Sequence, residues 1–278
     1  MLQDFLRHFG HRTSHVAAKT VRNREGPPVV VIFNWDDTLF CTSQLALEHA
    51  KQEAFDDGLD DLPLPQRLLR QMDGIVCRLV QEAVRIGQTF IVTNSSVEWV
   101  ERSAKSFLPG MLPLLDEVTV VSARSTYERK YPMEMGRWKD MAFLDIARRC
   151  GSGQGGDLLV IGNSELESHA ADVAGGALQD WRVKVFRLQQ HPSVHDLMVE
   201  QRLILDHLAA VKESRKSLTV TLEHDGGVGN SRKGEAGDSL TDTENSCEVE
   251  MEVTSTESNS EELESVPSSY QRRLIMSL

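Results

Sequence analysis

Residues 29–40 read VVVIFNWDDTLF. The opening run, Val29 to Trp35, is β-branched and apolar almost throughout, which is the pattern of a strand buried on both faces. Its end reads Asn34, Trp35, Asp36, Asp37 and Thr38. In an open parallel sheet, ligands bind outside the carboxyl ends of the strands. The stretch therefore predicts a fold and also where its chemistry would sit.

Similar apolar runs recur at 89–93 (TFIVT), 118–122 (VTVVS), 157–162 (DLLVIG) and 183–188 (VKVFRL). Amphipathic stretches separate them. Residues 64–86 place Leu68, Met72, Val76, Leu79 and Val84 near a 3.6-residue period, and 97–115, 138–149, 165–173 and 194–211 follow the same rule. Strands alternating with helices imply crossover connections, hence a three-layer, Rossmann-like α/β fold with a mainly parallel sheet and helices on both faces. One domain is expected over residues 27–215. Residues 217–222 (SLTVTL) leave an added edge strand open.

Charge is distributed unevenly along the 278 residues. Of the net charge of -12, residues 223–266 carry -11 and residues 1–222 only -3, while Arg272 and Arg273 add +2. The nearly neutral folded part gives no electrostatic footprint for nucleic acid. Residues 216–278, rich in Glu, Ser, Thr and Gly, read as a disordered acidic tail. There Ser258 and Ser260, beside Glu residues, suit acid-directed phosphorylation or a merely solvated tail. Residues 1–26 form a basic leader with Leu2, Phe5, Leu6 and Phe9 at helical spacing, read as a peripheral helix with a basic linker, or as an organelle-targeting segment or membrane-surface helix. No apolar run approaches the roughly 18 residues of a membrane span. Cys41, Cys77, Cys150 and Cys247 form no CxxC pair, so the chain suits a reducing intracellular compartment, the cytoplasm by default.

The residues after each predicted strand form an ordered set: Asn34, Asp36 and Thr38; Thr93, Asn94 and Ser95; Ser122 and Arg124; Asn163, Glu165 and Glu167, with Lys139 in the helix before the fourth strand. Over roughly residues 29–190 this resembles the haloacid dehalogenase (HAD) superfamily, most of whose members are Mg2+-dependent phosphatases and phosphotransferases. Its motifs run D-x-D-x-T, a strand ending in Thr or Ser, a Lys or Arg, and a late acidic pair. The resemblance places the nucleophile position on Asn34 and the general acid/base on Asp36. It assigns phosphate-oxygen binding to Thr93, the charge-steadying cation to Lys139, and the metal positions to Asp36, Asn163 and Glu167. Thr38, Asn94 and Arg124 are candidate substrate contacts, Arg124 also having an ion pair with Glu128 open to it. GSGQGG at 151–156 precedes a strand and lacks the P-loop Lys, so it reads as a connection.

Two of these residues depart from the pattern. An attacking group must be nucleophilic and Mg2+ favours anionic oxygens, whereas an amide is neutral. Asn34 and Asn163 thus weaken the nucleophile and the metal site together, so any Mg2+ would bind with reduced affinity. Two functions follow: a pseudophosphatase that holds a phosphorylated ligand or macromolecular partner, or a Mg2+-dependent phosphatase with an atypical site. Asp37 is a weaker alternative nucleophile, because the turn should aim it away from the pocket. The short spacing between the first motif and Thr89 leaves room for only a minimal cap, and an open site suits a phosphorylated protein or other large ligand.

Overall fold

A computed structural model describes residues 27–47, 66–151, 155–178, 180–224, 249–252 and 272–277. The leader, the 48–65 stretch, and Ser258 and Ser260 lie outside them. Strand β1 (Val29–Phe33) is followed by a helical segment at 42–47, helix α1 (Gln66–Ile86), β2 (Gln88–Thr93), α2 (Val97–Phe107), α3 (Met111–Leu115), β3 (Thr119–Ser122) and α4 (Ala123–Tyr127). Next come α5 (Met135–Cys150), β4 (Asp157–Gly162), α6 (Glu165–Gly176), β5 (Arg182–Arg187), α7 (Val194–Glu213), β6 (Leu218–His224), β7 (Val249–Glu252) and β8 (Arg272–Ser277). Strands β1 to β6 form a parallel sheet in the order β3-β2-β1-β4-β5-β6, and β8 and then β7 extend it antiparallel beyond β6.

The both-faces pattern of β1 explains the layers. Alternate residues of a strand point to opposite faces. Val31 and Phe33 join Ile91, Leu159, Ile161 and Phe186 in one core, which helices α1, α2 and α7 cover with Met72, Leu79, Trp99, Ile204 and Leu208. Val30 and Ile32 join Phe90, Val92, Leu158, Val160 and Val185 in the other, covered by Trp138, Phe143 and Ile146 of α5 and Ala170, Ala171 and Ala174 of α6. Small residues on α6 let it lie close to the sheet: a Cβ added at Gly175 would collide with the Val183 side chain.

Some boundaries depart from the sequence reading. The expected helix at 97–115 is two helices, because Leu108 caps α2 and Pro109 and Gly110 separate it from α3. Strand β1 ends at Phe33, although the Asn34 amide still donates to the Ile161 carbonyl at 2.9 Å. The sheet does not stop at residue 215 either, where the sequence reading ended the domain. Leu218 and Val220 alternate inward and are buried, so β6 pairs with β5 as a sixth parallel strand and is not an edge.

Helices α5 and α6 also meet at the surface, where His169 Nδ1 lies 3.0 Å from Asp140 Oδ1. That hydrogen bond, together with the aspartate's charge, raises the His169 pKa above its ordinary 6.5. The pairing therefore contributes stability below the ordinary value and loses it as pH rises through the raised one. Histidine NMR titration should find His169 above 6.5 in the native chain and back near it in Asp140→Asn. An unchanged midpoint in the variant would contradict the pairing.

Candidate functional site

The carboxyl ends of β1, β2 and β4 bring seven of the expected residues together: Asn34, Asp36, Thr38, Thr93, Lys139, Asn163 and Glu167. They form two hydrogen-bonded groups. Asn34, 7% exposed, sits at the centre of the first. Its Oδ1 accepts from Lys139 Nζ at 3.1 Å, and its Nδ2 donates to the Asp36 backbone carbonyl at 2.8 Å and to Asn163 Oδ1 at 3.0 Å. The partners fix the orientation of both amides. An ammonium only donates and a carbonyl only accepts, so Asn34 has one way to lie. The Asn34 N–H then requires an acceptor, which fixes the Asn163 amide as well, and Thr38 Oγ1 donates to the same Asn163 Oδ1 at 3.3 Å.

Lys139, on α5, is 3% exposed and bridges Asn34 Oδ1 to Glu167 Oε1. Glu167, 1% exposed, turns its other oxygen to the Ser164 amide at 2.9 Å and hydroxyl at 2.5 Å. This is a capping box at the start of α6, satisfying donors that the helix itself leaves without partners. The packing is close enough that a Cβ at Gly162 would overlap the Glu167 side chain.

Asp36 belongs to the second group. Its Oδ1 accepts from Thr42 Oγ1 at 2.7 Å and Trp99 Nε1 at 2.8 Å; its Oδ2 accepts from Ser95 Oγ at 2.8 Å and Thr93 Oγ1 at 3.1 Å. A carboxylate offers about four lone-pair sites. All are engaged, leaving none from which to exchange a proton with a substrate in this arrangement. Sequence reasoning placed Ser95 in the strand-end set without a role, and did not assign Trp99 or Thr42 to the site. Ser95 stood two residues past Thr93, but only the packing of α2 brings Trp99 across to Asp36.

Asp37, buried and in the left-handed region at φ 52°, points away from this cluster as the turn suggested. Its Oδ1 accepts from the Ser43 amide at 2.8 Å, its Oδ2 from the Ser43 hydroxyl, and His191 Nδ1 lies 3.6 Å from it. Asn94 directs Nδ2 to the Met135 carbonyl at 3.4 Å, and Arg124 lies 3.5 Å from Glu128 with its side chain half exposed. Neither is bonded to Asn34 or Asp36 through these contacts. Gln201 braces the turn from α7, donating to the carbonyls of Thr38 and Leu39 at 2.9 and 3.2 Å.

The arrangement suits Mg2+ poorly. That ion demands near-octahedral oxygen ligands and favours anionic ones. Here the two converging oxygens, Asp36 O and Asn163 Oδ1, are neutral and are already met by the Asn34 N–H groups. Glu167 is committed to Lys139 and Ser164. Among the described residues, no group of three His, Cys, Asp or Glu side chains is placed to hold a metal ion, and no helix is long and apolar enough to cross a membrane. No family model matches the chain, and neither a curated protein nor a solved structure matches it.

Proposed function

We propose that the chain is a haloacid dehalogenase-like pseudophosphatase, a domain that holds a phosphorylated or other macromolecular partner without hydrolysing it. Support for the lineage comes from the order of the motifs and from their meeting at the carboxyl ends of β1, β2 and β4. Support for the loss of turnover comes above all from Asn34 Nδ2, which spans Asp36 O and Asn163 Oδ1. An amide nitrogen with two N–H groups takes up there the convergence of oxygens that a cation would otherwise hold. The two departures from the motif are thus halves of one interaction: Asn34 donates and Asn163 accepts. Asp36, with four donors on its carboxylate, fits a structural anion better than a general acid.

The test is direct. Native protein given a generic aryl phosphate and Mg2+ should turn over no faster than its Asp36→Ala variant. Robust Mg2+-dependent hydrolysis by the native chain, abolished in Asp36→Ala, would overturn this reading and establish an active phosphatase with an atypical site.

A further inference from the structure

Lys139, Asn34 and Glu167 support a chemistry that does not involve phosphate. A primary amine, a carboxamide and a carboxylate lie in contact, 3%, 7% and 1% exposed, with the amine in the middle. Lys139 Nζ is 3.1 Å from Asn34 Oδ1, one bond from the carbonyl carbon, and it touches Glu167 Oε1. We propose that Asn34 and Lys139 become joined by an intramolecular isopeptide bond, formed in the folded chain with Glu167 as proton carrier and with release of ammonia.

The step balances without an oxidant, reductant or other co-reactant. Glu167 takes a proton from the Lys139 ammonium, and the freed lone pair on Nζ attacks Asn34 Cγ while the carbonyl π electrons move onto Oδ1. Glu167 passes its proton to Nδ2, and the carbonyl re-forms as the Cγ–Nδ2 bond breaks. The second proton lost by Nζ leaves on the departing nitrogen. Overall the Nζ–Cγ bond replaces Cγ–Nδ2, and a lysine ammonium plus an amide become an isopeptide plus ammonium.

Amides do not exchange with amines in open water, so the fold must supply the drive. Holding two reacting groups in place can be worth an effective concentration of roughly 10^5–10^8 M. Burial excludes the water that would separate the amine from its acceptor or hydrolyse an intermediate. The surrounding hydrogen bonds fit these roles. Asp36 O and Asn163 Oδ1 grip the nitrogen that must leave, which turns the carbonyl side toward Lys139. The Ser164 amide and hydroxyl anchor one oxygen of Glu167 and leave the other on Nζ. The product would tie the end of β1 to α5 across a separation of 105 residues. Closing so long a loop restricts the unfolded chain, as a disulfide does.

Mass spectrometry of the native full-length chain, denatured after purification, tests this. The expected mass is about 17 Da below that of the sequence, the mass of one ammonia. Tryptic digestion should give a branched peptide joining the segments around residues 34 and 139, with no cleavage after Lys139. Lys139→Arg and Glu167→Gln should each show the full sequence mass. An unshifted native mass would overturn the proposal. So would a gain of about 1 Da, because water would then have attacked the amide. A loss of 17 Da with normal cleavage after Lys139 would also overturn it, since that is a backbone succinimide. The measurement is independent of phosphatase turnover, so it can fail while the pseudophosphatase reading stands; if the bond forms, Nδ2 departs but position 34 remains a neutral amide with no carboxylate to attack phosphorus, so absence of turnover is expected in either case.

Discussion

The Asn34→Asp, Asn163→Asp double variant should gain Mg2+-dependent hydrolysis of an aryl phosphate, roughly 10^2–10^3-fold above the native chain, equivalent to about 3–4 kcal/mol of barrier. Two carboxylates would then face the Asp36 carbonyl where an amide now bridges neutral oxygens. Without a cation those oxygens repel one another, so the variant should melt below the native chain in chelator. Added Mg2+ should raise its melting temperature by ligand linkage, about 2.7 kcal/mol when the ion is at a hundred times its dissociation constant. The native chain should show no such shift. Turnover in the variant should still be restrained by Asp36, whose lone pairs remain engaged by Thr42, Thr93, Ser95 and Trp99. Adding Trp99→Phe removes the indole donor and should increase the rate further. A double variant with neither cation-dependent stability nor turnover would show that the two amides are not what closes the site.

Much of this architecture is legible from the chain because it rests on runs that only one environment can accept. VVVIF and, after Asp157, the LLVIG of β4 have no polar face, so strands β1 and β4 must be central, and the polar residues that follow must lie at their carboxyl ends. The site's contacts were less visible. Nothing in the spacing says that Trp99 reaches Asp36, because the contact depends on where α2 packs. Glu167 carries two signals on one residue, a late acid in the motif order and the last position of Ser164-x-x-Glu167. The structure places one carboxylate oxygen in each arrangement. The missed break at Pro109 and Gly110 and the parallel placement of β6 have a common cause. Helical periodicity continues through a two-residue interruption, and a short apolar alternation does not reveal which strand it will join.

Asp157→Asn should cost about 3–5 kcal/mol, the range for removing one partner of a buried ion pair. Asp157 opens β4, on the opposite edge of the sheet from the site, and holds Arg182 Nε at 2.7 Å and Lys184 Nζ at 2.8 Å. Burial works to raise its pKa, but hydrogen bonds from Arg182 and Lys184 outweigh burial and hold it below the ordinary carboxylate value. Lys184 is fully buried, and its Nζ also donates to the Lys212 carbonyl at 2.5 Å. An amide at position 157 would leave that ammonium without its counter-charge. The remedy should be specific: Asp157→Asn with Lys184→Met ought to recover most of the loss, since apolar replacement of a buried pair is often near neutral. The penalty should also depend on pH in a set direction. A carboxylate with a depressed folded pKa stabilises above its unfolded value and loses that contribution as pH falls through the folded one, so native and Asp157→Asn melting curves should converge in acid. Urea unfolding at neutral pH is the deciding measurement: a single variant within about 1 kcal/mol of native, below the usual cost of stranding a buried charge, would mean that water or the Lys212 carbonyl already satisfies Lys184.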